Sequence, residues 1–578
     1  MLPCLPSHDP SPLPRRAALA HHRDVYRYSY AWPPEVAVAA EVPRRDGYSP
    51  AYIARSLEVL ADIFANLVPA ADLFVSPERV EALFAEQIRR IRAVGPADVK
   101  GHLFDVQTEV ARQMSSASPA ALADYGRFYN TLAAPPAWTR WDDDRAFSWQ
   151  RVAGVNPMVL RRLDAVPDHV AIGEREMERA VPGRGSLAAA LAEGRVFACD
   201  YGLFAGAPGG TTHGRRKWLP APYAVFVSVE GALRPVAIQA GPTPASPVFA
   251  PGDGHDWRIA RLAVQTADAS YHEIVAHLGR THLVMEAVAL ATYRQLAPNH
   301  PLHVLLAPHL EQTLPINNSA ATSLIAPGGA IDLMFGATIE ATAGLVKKGL
   351  DAFTLPRSSI TADLAERGLD DPRTLAEHPY RDDGLLVWAA LRRFVEAYVR
   401  RYYPSDAAVV ADAELAGWAR EMGSPQGGRL KGVGPLETVA ALAELVAIIV
   451  WTGSAQHAAV NFPQYPYMGV LPNMLGAFWA EWPVPGVTAD EATLLSILPP
   501  YNMAMLQQST VYQLSSLRMN RLGEYPPLHF HDPGVHPLIA RFNADLKEAE
   551  GVIAARDRDR FLPYPFLLPS SIPASIHI

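Results

Sequence analysis

Residues 272–282 have the sequence HEIVAHLGRTH, and an apolar run follows at once as far as Tyr293. His272, His277 and His282 therefore stand at five-residue intervals among aliphatic residues. Imidazoles carried into an otherwise apolar helix indicate a buried metal site. On a regular α-helix, side chains five residues apart point roughly 140° apart, too far for His277 and His282 to share one ion. If they do share one, we expect the helix to widen locally to i→i+5 hydrogen bonding, a rare geometry that concentrates at functional sites.

A second segment with the same character lies far downstream at residues 454–465. His457 and Asn461 are four residues apart there, so they share one face of a helix. The last four residues of the sequence, 575–578, end in Ile578 without a polar tail.

Taken together, these segments resemble the lipoxygenase family. The resemblance rests on the His-x4-His helix at 277–282, on the segment His-Ala-Ala-Val-Asn-Phe at 457–462, and on the terminal Ile578. It is specific, because none of the three segments implies the others. It extends from about residue 145 to the end, with further similar stretches at 156–162, 257–261 and 380–388.

The resemblance implies a metal centre whose ligands are also the catalytic residues. These are three imidazoles, one amide oxygen and one main-chain carboxylate: His277, His282, His457, Asn461 and Ile578. This mixed shell suits iron and can also hold manganese, whereas zinc sites use fewer protein ligands. We therefore predict one iron per chain, with manganese as the weaker alternative. The family does not use the position of His272 as a ligand, so we interpret His272 as a hydrogen-bonded core residue.

The resemblance also implies a reaction. Its substrates are a polyunsaturated fatty acid of the linoleate or arachidonate type and dioxygen. Iron removes a hydrogen atom from a bis-allylic carbon, and dioxygen traps the carbon radical as a conjugated hydroperoxide. Two alternatives stay open at this point: a relative that mainly isomerises hydroperoxides, and a non-catalytic lipid-binding protein that keeps the metal as a structural element.

Five further residues have expected roles near the metal. Gln464 and Glu273 are predicted to orient ligands, although Glu273 would be exposed if the helix begins there. Leu278 and Leu324 are predicted to flank the reacting carbon, with ordinary core packing as the alternative. Ala320 occupies the family position at which alanine accompanies S hydroperoxides and glycine accompanies R hydroperoxides, so we expect an S product.

Composition excludes several classes of protein. Apolar residues make up 49% of the 578 residues and are spread along the chain without a polar linker, which favours one large core. The net charge of −8 comes from interspersed acids and bases, so no nucleic-acid surface is predicted. Cys4 and Cys199 are the only cysteines, which excludes a disulfide framework and a thiolate-rich metal site.

The predicted fold is a large, mainly α-helical catalytic domain at residues 46–578 with a small inserted antiparallel sheet. Ser49-Pro50 and Ser76-Pro77 are helix starts, and period-two patterning between 195 and 240 predicts the sheet, with a hairpin turn at Glu230-Gly231. Residues 1–45 are proline-rich and are predicted to form an extended arm. No β-sandwich pattern precedes the helices, so we expect a form without the N-terminal β-domain of plant and animal lipoxygenases.

The sequence shows no secretion signal, because residues 1–19 lack a continuous apolar stretch. A cytoplasmic location is the resulting expectation. The most apolar run, residues 445–455, is far shorter than the about 20 residues that a membrane span requires, so it predicts a buried helix. Weak contact with a membrane surface is compatible with a lipid substrate, and the sequence carries no signal for an oligomeric state.

Overall fold

A computed structural model describes residues 2–73, 77–93, 99–114, 117–484 and 486–578. Helices dominate this part of the chain, which confirms the predicted fold class. The α-helices are α1 (Pro12–Val25), α2 (Pro50–Leu67), α3 (Pro77–Ala93), α4 (Val99–Gln113), α5 (Asp144–Ala153), α6 (Glu174–Ala180), α7 (Leu187–Ala192), α8 (His255–Tyr271), α9 (Val284–Gln295), α10 (Pro301–Leu310), α11 (Thr313–Ser319), α12 (Ala330–Met334), α13 (Ile339–Asp351), α14 (Ile360–Arg367), α15 (Pro379–Tyr402), α16 (Asp406–Val410), α17 (Ala413–Gly423), α18 (Val439–Trp451), α19 (His457–Asn461), α20 (Gln464–Met468), α21 (Glu491–Ile497), α22 (Tyr501–Ser516) and α23 (His536–Asp557).

Three segments have π-helical hydrogen bonding: π1 (His272–Leu283), π2 (Ala320–Leu324) and π3 (Thr452–Gln456). The strands are β1 (Tyr28–Ser29), β2 (Val38–Ala39), β3 (Arg161–Arg162), β4 (Val196–Asp200), β5 (Thr211–Thr212), β6 (Arg215–Arg216), β7 (Tyr223–Val229), β8 (Ala232–Gln239) and β9 (Val248–Phe249).

Two long helices form the centre of the molecule. One is the continuous run of α8, π1 and α9, and the other joins α18, π3 and α19. By length and composition both are apolar enough to cross a membrane, but their apolar windows are 89% and 83% buried inside the protein. Their apolar character therefore serves the core, and the prediction of a buried helix at 445–455 is confirmed.

The predicted small sheet is present as the antiparallel order β3-β4-β7-β8-β9. The β7–β8 hairpin turns at Glu230 and Gly231, whose φ angles of 54° and 81° suit a two-residue turn. Alternate side chains of β4 and β7 face opposite ways: Phe197 and Phe226 join the main core, whereas Val196 and Val225 join a smaller apolar cluster. The sheet thus rests on the helical body by one face.

The N-terminal arm differs from the prediction of an extended segment, because α1 occupies Pro12–Val25. Pro12 and Pro14 both fall in the first helical turn, where a missing N–H removes no intrahelical hydrogen bond. Proline density is therefore compatible with a helix here. After α1 the arm forms the short β1–β2 pair. The division of the chain at residues 45 and 46 stays a prediction.

The arm is tied to the body at the end of α1. Tyr26 stacks on Tyr293 of α9 with ring centroids 4.8 Å apart, and His22 Nδ1 lies 3.0 Å from the Tyr293 carbonyl oxygen. The predicted start of α2 is confirmed, since Ser49 accepts a hydrogen bond from the Tyr52 N–H. Helix α3 begins at Pro77 as predicted, and Ser76 lies outside the described residues.

The C-terminal segment enters the interior, as its proline content predicted. Between α23 and the last residue the described helical structure is limited to two 3₁₀ turns, Pro565–Leu567 and Pro569–Ser571. Residues 572–578 are buried. Ile578 is therefore buried in the core, beside His457 of α19.

Candidate metal centre

The π1 segment brings His277 and His282 to the same side of the helix, although residues five apart on a regular α-helix point in different directions. Its i→i+5 hydrogen bonding over His272–Leu283 confirms the expected local widening. As a result the His277 and His282 rings face the same point, with centroids 4.8 Å apart. The carbonyl oxygens released by this geometry need other donors, and the Thr281 hydroxyl donates to the His277 carbonyl.

The π3 segment brings the third histidine to the same point. It precedes α19, in which His457 is the first residue, and the Ser454 hydroxyl donates to the Val450 carbonyl. Gly453 allows close packing here, because a Cβ at this position would lie 2.8 Å from Met285 Cε and 3.1 Å from the His309 carbonyl oxygen. The two central helices can therefore approach closely where their histidines meet.

The three imidazoles form a small triangle of Nε2 atoms. The distances are 3.3 Å between His277 and His457, 3.2 Å between His282 and His277, and 3.2 Å between His457 and His282. All three side chains are buried, and among the described residues they form the one group of three or more potential His, Cys, Asp or Glu ligands within metal-binding distance. The structure thus brings three of the five predicted ligands together.

The hydrogen-bond partner of His282 fixes its tautomer. Its Nδ1 lies 2.8 Å from Asn317 Oδ1, while Asn317 Nδ2 donates to the His282 carbonyl oxygen at 2.9 Å and to Glu286 Oε2 at 2.8 Å. Because both amide hydrogens are donated, Oδ1 is the acceptor and His282 Nδ1 carries the proton. The Nε2 lone pair therefore points into the triangle.

Burial keeps the other two imidazoles neutral. It lowers the pKa of His277 to about 3. It also lowers the pKa of His457 well below its ordinary value, and the neighbouring imidazoles act in the same direction. At neutral pH the uncharged His277 and His457 rings then direct their Nε2 atoms at each other and at the Nε2 atom of His282. Since acceptor lone pairs repel without a cation between them, this donor set fits a bound metal ion.

Two amides and the end of the chain lie around this triangle. Asn461 is fully buried one helical turn after His457, and its Oδ1 accepts a hydrogen bond from Gln464 Nε2 at 2.9 Å. Its Nδ2 donates to the Leu514 carbonyl oxygen at 2.8 Å, which fixes the amide orientation. The main chain of Ile578, a residue only 2% exposed, lies beside the His457 ring and opposes the lowering of its pKa.

Glu273 and His272 lie near His277 but outside the triangle of Nε2 atoms. Glu273 is 9% exposed, so the alternative that it lies on the surface is wrong. Its Oε2 is 3.4 Å from His277 Nδ1, and burial raises the pKa of this carboxyl group. His272 Nε2 lies 2.6 Å from the Val460 carbonyl oxygen, so this ring bonds to the main chain and stays outside the triangle.

The three predicted substrate residues lie on two of the π segments. Leu278 follows His277 on π1, whereas Ala320 and Leu324 begin and end π2. A cavity of about 380 Å³ is lined by Thr322 and Ser323 of π2. A larger cavity of about 490 Å³ borders π1 but is not lined by Leu278, Ala320 or Leu324. The substrate roles of these three residues stay predictions.

Two residues of the centre were missed in the sequence. Glu286 offered a signal, because an acidic residue in an apolar helix four positions after a histidine is unusual. Asn317 offered none, since it reaches His282 only through the packing of α11 on π1 and α9.

Comparison with known proteins gives consistent matches. A family profile described as Lipoxygenase matches residues 3–563. The chain is 36% identical to linoleate 9/13-lipoxygenase of Pseudomonas aeruginosa, with 100% of this chain and 93% of the relative covered. It is 33% identical to human hydroperoxide isomerase ALOXE3, with 78% and 64% covered. The crystal structure of coral 8R-lipoxygenase superimposes with a TM-score of 0.87 at 26% identity, covering 100% of this chain and 83% of that one.

The triangle predicts different outcomes for two histidines that flank His277 at equal spacing. His282→Gln removes a nitrogen that points into the triangle, so the content of bound metal should fall by at least about tenfold. His272→Gln keeps an N–H donor for the Val460 carbonyl, so the metal content should stay at the wild-type level. Elemental analysis of both purified variants measures this. Equal metal loss in the two variants would contradict the assignment.

Proposed function

This chain belongs to the lipoxygenase family, and from this premise we propose that it is a non-haem iron dioxygenase that converts polyunsaturated fatty acids of the linoleate and arachidonate type to S-configured hydroperoxides. The observation that carries the proposal is the buried triangle of three imidazoles, in which burial keeps His277 and His457 neutral. When iron is bound there, it supplies the one-electron redox step that removes a bis-allylic hydrogen. Manganese is the alternative metal with the same ligand preferences.

In this proposal five groups hold the iron, and neighbouring residues fix their orientation. The ligands are His277, His282, His457, the Asn461 amide oxygen and the Ile578 carboxylate. The orientation of Asn461 is supported by the Gln464 amide and that of His277 by the Glu273 carboxylate, through the contacts described above. Fixed orientation keeps the nitrogen lone pairs directed at one point, which raises metal affinity.

The apolar surroundings suit the substrate proposed here. A pentadiene unit offers no hydrogen bonds, so its position depends on shape and on the exclusion of water. Leu278 adjoins His277 on π1, and Leu324 is a buried residue at the end of π2. We assign these two side chains to the walls that hold the reacting carbon and leave a path for dioxygen.

A second candidate is hydroperoxide isomerisation. It is favoured by the similarity to the human isomerase, which is nearly as high as the similarity to dioxygenases. The metal ligands cannot separate the two activities, because the difference lies in the access of dioxygen. A non-catalytic role is disfavoured by the complete triangle of buried imidazoles.

The proposed function predicts conjugated-diene formation. Iron-loaded protein given linoleate or arachidonate should generate diene absorbance with one molecule of dioxygen consumed per product, and chiral chromatography should show S hydroperoxides. His457→Gln should abolish turnover, whereas the exposed His531→Gln should retain it.

Three results would count against this proposal. Absence of diene formation from every polyunsaturated acid tried, with iron present, would exclude dioxygenation. Rapid anaerobic conversion of a supplied hydroperoxide alongside weak oxygen uptake would support the isomerase. Unfolding on iron removal, together with undetectable redox cycling, would support the structural-metal alternative.

Product chirality tests the role of Ala320. This half-buried residue is the first of π2, and a glycine there frees the space of one methyl group. Ala320→Gly should therefore admit dioxygen at the neighbouring position and shift the product toward the R hydroperoxide. Chiral chromatography of the variant products measures the shift, with Ala321→Gly as the matched control on the adjacent residue. An unchanged S product would refute the assignment.

The ligand role of Ile578 makes the enzyme sensitive to its C-terminus. One residue appended after Ile578 converts the α-carboxylate to a neutral amide and places a new charge in the core, where an unpaired charge costs several kcal/mol. Iron content and turnover should both be lost, while the same residue added before Met1 should be tolerated. A C-terminally extended protein with full iron and normal turnover would exclude Ile578 as a ligand.

A further inference from the structure

The N-terminal arm is connected to the metal centre by an unbroken chain of hydrogen bonds. Ala39, the last residue of β2, donates its main-chain N–H to Glu286 Oε1 at 2.7 Å. Glu286 lies on α9, one helical turn after His282, and is buried. A strand from the arm therefore meets the central helix directly beside the metal-binding segment.

In the middle of this series of hydrogen bonds, the side chains of Glu286 and Asn317 have little freedom of orientation. Both Glu286 oxygens accept hydrogen bonds, one from Ala39 N–H and the other from Asn317 Nδ2 at 2.8 Å. Asn317 gives its second amide hydrogen to the His282 carbonyl. A carboxylate that faces two donors thus holds the amide in the one orientation that presents Oδ1 to His282 Nδ1.

We propose that residues 36–42 of the arm act as a positioning element of the metal centre, through Ala39, Glu286 and Asn317 to His282. Glu286 and Asn317 are positioning residues in this scheme, since neither points into the triangle. The inference rests on the proposed metal site. It adds to the proposed function that the N-terminal arm supports the metal centre, so that ordering of the arm and metal binding are energetically coupled.

The coupling is reciprocal by thermodynamic linkage. If the bound metal orders His282, and His282 orders Asn317 and Glu286, then metal binding must protect the Ala39 N–H by the same factor by which an ordered arm raises metal affinity. A purely structural contact would stabilise the fold without linking protection of the Ala39 N–H to metal affinity. Amide exchange and metal retention therefore distinguish the proposal from simple packing.

The first test uses the unaltered protein. Hydrogen exchange of a peptide covering residues 36–42 is compared between metal-free protein and protein loaded with iron(II) under anaerobic conditions. We expect about 10-fold to 100-fold slower exchange at Ala39 in the loaded form, the range by which residues that support ligands affect metal binding. Helix α7 lies outside the hydrogen-bond chain and serves as the internal reference, with unchanged exchange. Equal exchange at Ala39 in both forms would overturn the proposal.

The second test breaks the chain at its centre. Glu286→Gln keeps the shape of the side chain but presents an N–H to either Ala39 or Asn317, so one donor faces another donor. We expect iron(II) to leave the variant for a chelator about 10-fold to 100-fold faster than the wild type, with the iron-dependent protection of Ala39 abolished. Glu176→Gln is the matched control, because Glu176 is also a buried carboxylate that accepts a main-chain N–H but lies on α6. Its iron release should be unchanged.

The outcomes separate this inference from the proposed function. Wild-type iron release in Glu286→Gln, in a preparation whose wild type holds iron and forms dienes, would overturn the coupling alone. A lower melting temperature with normal iron release would identify Glu286 as structural and would also overturn it. A wild type that binds no iron would overturn the metal centre and the coupling together.

Discussion

The structure depends on holding three imidazole nitrogens within about 3.3 Å of one another inside an apolar core. Ordinary helices cannot do this with ligands five residues apart. The chain meets the requirement by widening one central helix over twelve residues and a second over five, immediately before His457. Each widened turn leaves main-chain carbonyl oxygens without their regular hydrogen-bond donors. The nearby hydroxyls of Thr281 and Ser454 donate to such carbonyl oxygens. Serine and threonine in these otherwise apolar helices are therefore part of the same solution.

Much of this centre was accessible from the sequence, because helical spacing and a family-like motif act locally. The widened helix followed from the five-residue interval between His277 and His282 together with the family resemblance, which implies that both residues bind one ion. The sheet and its turn followed from period-two patterning and from Glu230-Gly231. In each case the relevant residues are close in sequence, so the physical constraint can be evaluated without knowing the fold.

The unpredicted parts depend on distant pairings. Asn317 is 35 residues from His282, and Ala39 is 247 residues from Glu286. No periodicity records such contacts, since each contact depends on how two distant segments pack against each other. The arm was misjudged for a different reason: prolines were treated as helix breakers, although Pro12 and Pro14 occupy the one turn where they do no harm. The position of these prolines in the first turn of α1 mattered more than the high proline content of the arm.

The separation of the triangle along the chain also orders events during synthesis. His282 and His457 are 175 residues apart, and ribosomes add about 5–20 residues per second. The nascent chain therefore carries His277 and His282 for roughly 9 to 35 seconds before the third imidazole exists. During that interval the apolar helix that bears them lacks the second central helix against which it packs, so apolar surface stays exposed until residue 457 has been made. A metal ion held by all three imidazoles can consequently bind only after the two central helices have docked.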